Sequence, residues 1–114
     1  MDQFTCFVSL SMEDCQKIIH EAAVSGSITG TLIDHYMAGE EGGPRCVVMV
    51  YERNYMRVGN RLTLTAVIDN LDGPTRVHCT TGGGGAMFRF DWGAAGSFTA
   101  RVDEALRPYI IREE

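Results

Sequence analysis

The stretch RCVVMVYERNYMRVGNRLTLTAVID, residues 45–69, decides the fold because it holds two long strand patterns around one turn. Cys46 to Tyr51 is continuously apolar, as expected of a strand that is buried on both sides. Gly59-Asn60 is a typical tight-hairpin sequence. Beyond the turn, apolar and polar residues alternate, which predicts a strand with one buried face. The apolar members of that alternation are Leu62, Leu64, Ala66 and Ile68.

The register between these two strands has two alternatives, and they have opposite consequences for function. A two-residue turn pairs Val58 with Arg61 and places the first strand's tyrosines and arginines beside the apolar face of the second. These residues would then line a pocket for an anionic ligand. A three-residue turn puts Glu52 and Asn54 there instead, and the arginines become a solvated basic stripe. The candidate ligand-binding residues on this strand are Tyr51, Arg53, Tyr55 and Arg57.

The N-terminal segment predicts a strand followed by an amphipathic helix. Residues 4–10 alternate between apolar and mixed positions, which indicates a strand with one strongly apolar face. Ser11 and Asp14 form a capping box at the start of the helix, and Gly26 ends it. The apolar residues between them recur at helical spacing.

The remaining segments complete the order β-α-β-β-β-β-α. Residues 27–37 and 75–81 are rich in strand-forming residues. A final helix is predicted to end or kink near Leu106 or Arg107, because Pro108 disfavours helical geometry at the residue before it. Short connections make the four middle strands an antiparallel meander. We therefore expect one two-layer α+β domain over residues 1–114, with a five-stranded antiparallel sheet and both helices on one face.

The second face of this sheet needs a cover, because the run from Cys46 to Tyr51 is apolar on both sides. Sheet curvature, a second subunit, or a ligand cavity beneath the last helix would each supply one. A homodimer held by the sheet face or edge around residues 47–55 is the expected partner arrangement, since soluble monomers rarely expose large apolar patches.

A glycine tract, Gly82 to Gly85, joins the last strand to the last helix. It lacks the Lys-Ser or Lys-Thr of a phosphate loop, since Ala86-Met87 follows it. A strand-to-helix hinge or an anion held at the helix N-terminus are the two alternatives. Trp92, just after it, is a candidate platform for stacking against a ligand, although a core position is the alternative.

Composition and charge exclude several classes of protein. The net charge of −5 argues against general affinity for nucleic acid or anionic membranes. No signal peptide is apparent at residues 1–4, so a reducing, cytoplasmic location is expected. The cysteines and histidines lack metal-ligand spacing, so we expect buried free thiols and neither a metal nor a cofactor. The cysteines are Cys6, Cys15, Cys46 and Cys79.

Two segments carry a resemblance to known proteins. VVMVYERNYMRVGNRLTLTAVIDN at residues 47–70 and FRFDWGA at residues 88–94, with glycines at 82–84 between them, are similar to a family of short, uncharacterised bacterial proteins. That family shares the Tyr-Glu-Arg-Asn-Tyr strand and the Phe-x-Phe-Asp-Trp-Gly segment. The element order also resembles the TBP-like and helix-grip folds. The resemblance spans nearly the whole chain and implies this fold and a cytoplasmic location, but no chemistry.

Two classes of function follow as expectations. The first is a non-catalytic binding module for a small apolar or anionic molecule or a lipid, held between the sheet and the last helix. The second is a structural or interaction protein that forms a homodimer through its open sheet face. A cyclase-type enzyme is a distant third. A packed space beneath the last helix would favour the second class.

Overall fold

The fold is a six-stranded antiparallel sheet that carries two helices. A computed structural model describes residues 3–25, 30–55, 60–83 and 92–114. The described elements are β1 (Gln3–Val8), α1 (Met12–Val24), β2 (Thr31–Gly39), β3 (Arg45–Tyr55), β4 (Asn60–Asp69), β5 (Thr75–Gly83), α2 (Trp92–Leu106), a 3-10 turn (Arg107–Tyr109) and β6 (Ile110–Glu113). The strand order across the sheet is β2-β3-β4-β5-β1-β6. The α+β class and the antiparallel meander of the four middle strands are therefore confirmed.

The prediction of five strands is wrong, because the chain adds β6 after the last helix. α2 ends at Leu106, as Pro108 leads us to expect, and a 3-10 turn follows. The chain then returns beside β1, where Ile110 pairs with Val8 and Glu113 with Cys6. The sequence signal was the β-branched pair Ile110-Ile111, which is short enough to pass for the tail of the helix.

Both helices pack on the same face of the sheet, as predicted. One apolar cluster joins the apolar faces of the two helices to alternate residues of the central strands, and its members are almost fully buried. α1 contributes Met12, Cys15, Ile19 and Ala23, and α2 contributes Phe98, Val102 and Leu106. The sheet contributes Cys6, Val8, Val47, Met49, Tyr51, Leu62, Leu64, Ala66, Ile68, Val77 and Cys79.

The observed β3–β4 register puts the odd-numbered residues of β3 on the helix-covered face. Tyr51 pairs with Leu64 and Arg53 with Leu62. The first of the two predicted registers placed the tyrosines and arginines of β3 on this apolar face, and that placement is correct for Tyr51 and Arg53. The predicted two-residue turn at Gly59-Asn60 is wrong, because Asn60 already belongs to β4 and pairs with Tyr55. The hairpin connection itself, residues 56–59, lies outside the described residues.

Candidate functional site: an exposed sheet edge and an adjoining cleft

β2 is the most exposed element of the sheet. All nine of its residues are solvent-exposed, and β3 is its hydrogen-bonded neighbour in the sheet. It holds four of the seven exposed large apolar side chains in the described part of the chain. Those four are Leu32, Ile33, Tyr36 and Met37. Such an edge presents backbone donors and acceptors together with apolar side chains, which is a template for pairing with another strand.

The sheet face opposite the helices continues this apolar surface. Tyr36 is 60% exposed, and it pairs with Val48, which in turn pairs with Val67 on β4. Val50 lies beside them, opposite Asp34 and Thr65. Val48, Val50 and Val67 are half-buried by their own neighbours. The open face is therefore apolar where it adjoins β2.

The far end of the same face is covered by charged side chains. Phe7 of β1 is buried there, with the guanidinium of Arg112 4.5 Å and that of Arg76 5.5 Å from its ring centre. Arg76 is itself held by Asp69, with an Nη2–Oδ1 distance of 2.9 Å. β6, the edge strand at this end, has only four residues, among them Arg112 and Glu113. A short, charged edge resists pairing with other chains, so the two edges of this sheet differ sharply.

A cleft lies on the helix-covered side, where β2 extends beside α1. This α1–β2 cleft has a volume of about 230 Å³ and is open to solvent. Met49 forms a buried part of its wall, and the other lining residues come from α1 and β2. The lining residues are Gln16, Lys17, His20, Leu32, His35 and Met49.

Two histidines at the cleft are fixed by hydrogen bonds. His20 Nδ1 lies 2.9 Å from the hydroxyl of Tyr51, which donates to Met49 Sδ at 3.7 Å. Which of the two groups donates to the other is set by the tautomer of His20. His35 Nε2 lies 3.1 Å from Gln16 Oε1, so it donates to that amide oxygen. These bonds orient both rings at the cleft.

The predicted site residues are separated by the structure. Tyr51 is fully buried behind His20, and its burial raises the pKa of the phenol to about 12, so it stays protonated at neutral pH. Arg53 is 3% exposed, with its guanidinium 4.4 Å from the ring centre of Phe98 on α2. Tyr51 thus adjoins the cleft through His20, whereas Arg53 packs against α2.

The other predicted positions fall wholly or partly outside the described part of the chain. Tyr55 ends β3 and Trp92 begins α2, but the side chains of both lie outside it. Arg57 and the glycines at 84 and 85 also lie outside the described residues. A ligand-binding role for Tyr51, Arg53, Tyr55, Arg57 and Trp92 stays a prediction.

Sequence reasoning did not single out the cleft residues. In the sequence, His20 and His35 lack metal-ligand spacing, so neither indicated a site. The available signal was the i, i+4 spacing of Gln16 and His20, which places them on one helix face. Pairing β2 with β3, and not with another strand, was needed to bring His35 to that face.

The space beneath the described side chains of α2 is filled. Phe98, Val102 and Leu106 are each 0% exposed and belong to the central cluster. Over residues 98–106, α2 therefore covers packed core. This is the arrangement that favours an interaction protein over a ligand pocket beneath the last helix.

The described residues contain neither a candidate metal-binding group of three or more ligands nor a helix long and apolar enough to cross a membrane. One protein-family model, described as "Family of unknown function (DUF6054)", matches residues 1–110. No curated protein and no solved structure matches the chain.

Proposed function

We propose that this chain, which belongs to the family of unknown function whose model covers residues 1–110, is an interaction protein that forms a homodimer through the β2 edge. The observation that carries the proposal is that β2 is exposed at every residue and apolar on both of its faces. Natural proteins protect such edges or pair them.

The composition of β2 supports pairing with a second copy. Its sequence, TLIDHYMAG, contains no lysine or proline, the residues that most often block edge pairing, and Asp34 is its single charged residue at neutral pH. A bulge between Leu32 and Asp34 interrupts its register with β3, so regular geometry runs from Asp34 to Gly39. The pairing segment of the proposed dimer is therefore residues 34–38.

A two-fold axis through Tyr36 gives this segment a favourable register. Antiparallel pairing about that axis sets Tyr36 against its own copy, His35 against Met37, and Asp34 against Ala38. The two carboxylates are then kept apart and the two aromatic rings meet. The axis stands perpendicular to the sheet, so both helical layers lie on the same side of one twelve-stranded sheet.

Light scattering at micromolar concentration tests the proposal. We expect about twice the chain mass of 12.6 kDa. Tyr36→Glu places two carboxylates directly opposite each other and should give a monomer. Ile111→Glu is the matched control, because Ile111 is 61% exposed on the opposite edge against 60% for Tyr36. It should remain a dimer.

Two outcomes would contradict the β2 interface. One is a wild-type monomer at 100 μM or above, well beyond ordinary dimer affinities. The other is dissociation by Ile111→Glu but not by Tyr36→Glu, which would move the interface to β6. Circular dichroism of each variant establishes that it is folded, since both substitutions are at exposed positions.

We extend the proposal to the fold label, the cellular location and the origin of the protein. The TBP-like and helix-grip fold label is supported by the antiparallel sheet that carries both helices on one face. A reducing, cytoplasmic location is supported by four free cysteines, and bacterial origin rests on the sequence resemblance alone.

A further inference from the structure

The α1–β2 cleft has the features of a small-molecule site, and it shares Leu32 and His35 with β2, the proposed dimer edge. Its volume of about 230 Å³ is below the 300–1,000 Å³ typical of pockets for drug-sized molecules, so its occupant has on the order of ten non-hydrogen atoms. Met49 and Leu32 supply an apolar wall, and Leu32 is 37% exposed. The methionine adapts its shape to different apolar groups.

The polar groups at the cleft favour one sign of charge. Lys17 is the single lysine of the chain, and it lines the cleft together with His20 and His35. None of the described lining residues is acidic. In a chain of net charge −5, a cleft whose charged group is a cation suits an anionic group at its rim.

The hydrogen bonds of the two histidines leave specific atoms for a ligand. The contact between His20 and Tyr51 uses Nδ1, and the contact between His35 and Gln16 uses Nε2. His35 Nδ1, the nitrogen left over in the neutral ring, carries a lone pair and accepts a hydrogen bond, so Lys17 is the group that pairs with a carboxylate. Fixed ring orientations lower the entropy lost when a ligand is held.

We propose that the α1–β2 cleft binds a small monocarboxylate with an apolar body, its carboxylate beside Lys17 and its apolar part on Leu32 and Met49. The same chemistry occurs in short fatty acids and in small aromatic acids. Titration with one acid of each class separates the fatty acids from the aromatic acids.

Titration followed by amide NMR tests the assignment with octanoate and 3-phenylpropionate as probes and 1-octanol as the uncharged analogue. We expect at least one acid to shift the amides of residues 16–20, 32–35 and 49 with a millimolar or tighter Kd. 1-Octanol should bind more weakly. The acid with the lower Kd identifies the source class.

Two substitutions separate the contributions of charge and apolar surface. Lys17→Gln should weaken binding of the acid about three- to fivefold, the contribution of one exposed ion pair, and leave 1-octanol unchanged. Arg61→Gln removes an exposed cation that is not part of the cleft and should change neither affinity. Leu32→Glu removes apolar surface and puts a carboxylate in the cleft that holds Lys17, so it should weaken acid binding more than tenfold.

Three results would overturn the proposal: no shift at these residues with 10 mM of either acid, equal affinity for acid and alcohol, or equal effects of Lys17→Gln and Arg61→Gln. Light scattering on Lys17→Gln reports its oligomeric state, which separates the test of the cleft from the test of the β2 dimer. A Lys17→Gln protein that stays dimeric but binds the acid more weakly shows that acid binding can be reduced without loss of the dimer.

Discussion

At the scale of single residues, the alternation in β4 determines which positions accept a charge. Leu64 is fully buried in the apolar cluster between the sheet and the two helices. Its neighbour Thr65 is half-buried on the open face of the sheet. Leu64→Asp would place a carboxylate in the core with no partner, at a cost of several kcal/mol out of a total stability of about 5–15 kcal/mol. We expect Leu64→Asp to unfold the domain and Thr65→Asp to change its stability only mildly.

Thermal melts of the two variants check this assignment of faces. The substitutions introduce the same charged group one residue apart, so strand propensity and net charge are matched. Equal melting temperatures would contradict the alternation. A lower melting temperature for Thr65→Asp than for Leu64→Asp would indicate that the open face is packed more tightly than the helix-covered face. A large interface with a second copy across the open face would have that effect.

At the scale of elements, the β2–β3 hairpin depends on one glycine. Gly39 has a φ of +104°, and a Cβ there would lie 2.4 Å from the carbonyl oxygen of Pro44 and 2.6 Å from Arg45 Cα. Both obstacles are backbone atoms, which cannot move aside without opening the hairpin. We expect Gly39→Ala to destabilise the protein by about 2–3 kcal/mol, from positive-φ strain together with this overlap.

Gly43→Ala in the same turn is the matched control. The atom nearest to a Cβ at Gly43 is the carbonyl oxygen of Glu40, at 3.7 Å, which is an ordinary van der Waals distance. Urea denaturation should place this variant within about 0.5 kcal/mol of the wild type. Comparable losses for both variants would mean that the turn, and not the close approach at Gly39, limits the hairpin.

The sequence predicts elements with a strong local pattern and misses features that depend on pairing. The N-cap at Ser11, the alternation in β4 and the effect of Pro108 are local, and the structure confirms all three; of the predicted capping box it shows the bond from Asp14 N–H to the Ser11 hydroxyl. β6 is four residues long and becomes a strand because β1 offers it a partner. Long-range pairing of this kind leaves little trace in a short sequence window.

The candidate sites follow the same division. The apolar run in β3 predicted a sheet surface that needs a cover. In the structure, its odd-numbered residues belong to the core beneath the helices, and Val48 and Val50 lie on the open face. The exposed apolar edge is β2, which was predicted as an ordinary strand. The α1–β2 cleft joins residues 16–20 to residues 32–35, and only the β2–β3 register brings them together.

At the scale of the whole molecule, the buried thiols couple stability to alkaline pH. Burial raises the pKa of Cys6 to about 11 and that of Cys15 to about 12, from an ordinary value of 9.0, and it raises the pKa of Cys79 as well. In the unfolded chain these thiols ionise near pH 9, whereas in the folded protein they stay protonated. The unfolded state therefore loses protons first, and stability falls as pH rises above 9.

We expect the free energy of unfolding to be constant from pH 7 to 8 and to be lower by about 4 kcal/mol at pH 10, or roughly 1.4 kcal/mol for each of the three thiols. Urea titrations at fixed protein concentration with a reductant measure this difference. Cys15→Ala is the control. Whatever its effect at pH 7, it removes one titrating group and should reduce the loss between pH 7 and 10 by about a third. A free energy of unfolding that does not change up to pH 10 would contradict the burial of these thiols between the sheet and the two helices. So would a loss of stability that Cys15→Ala leaves unchanged.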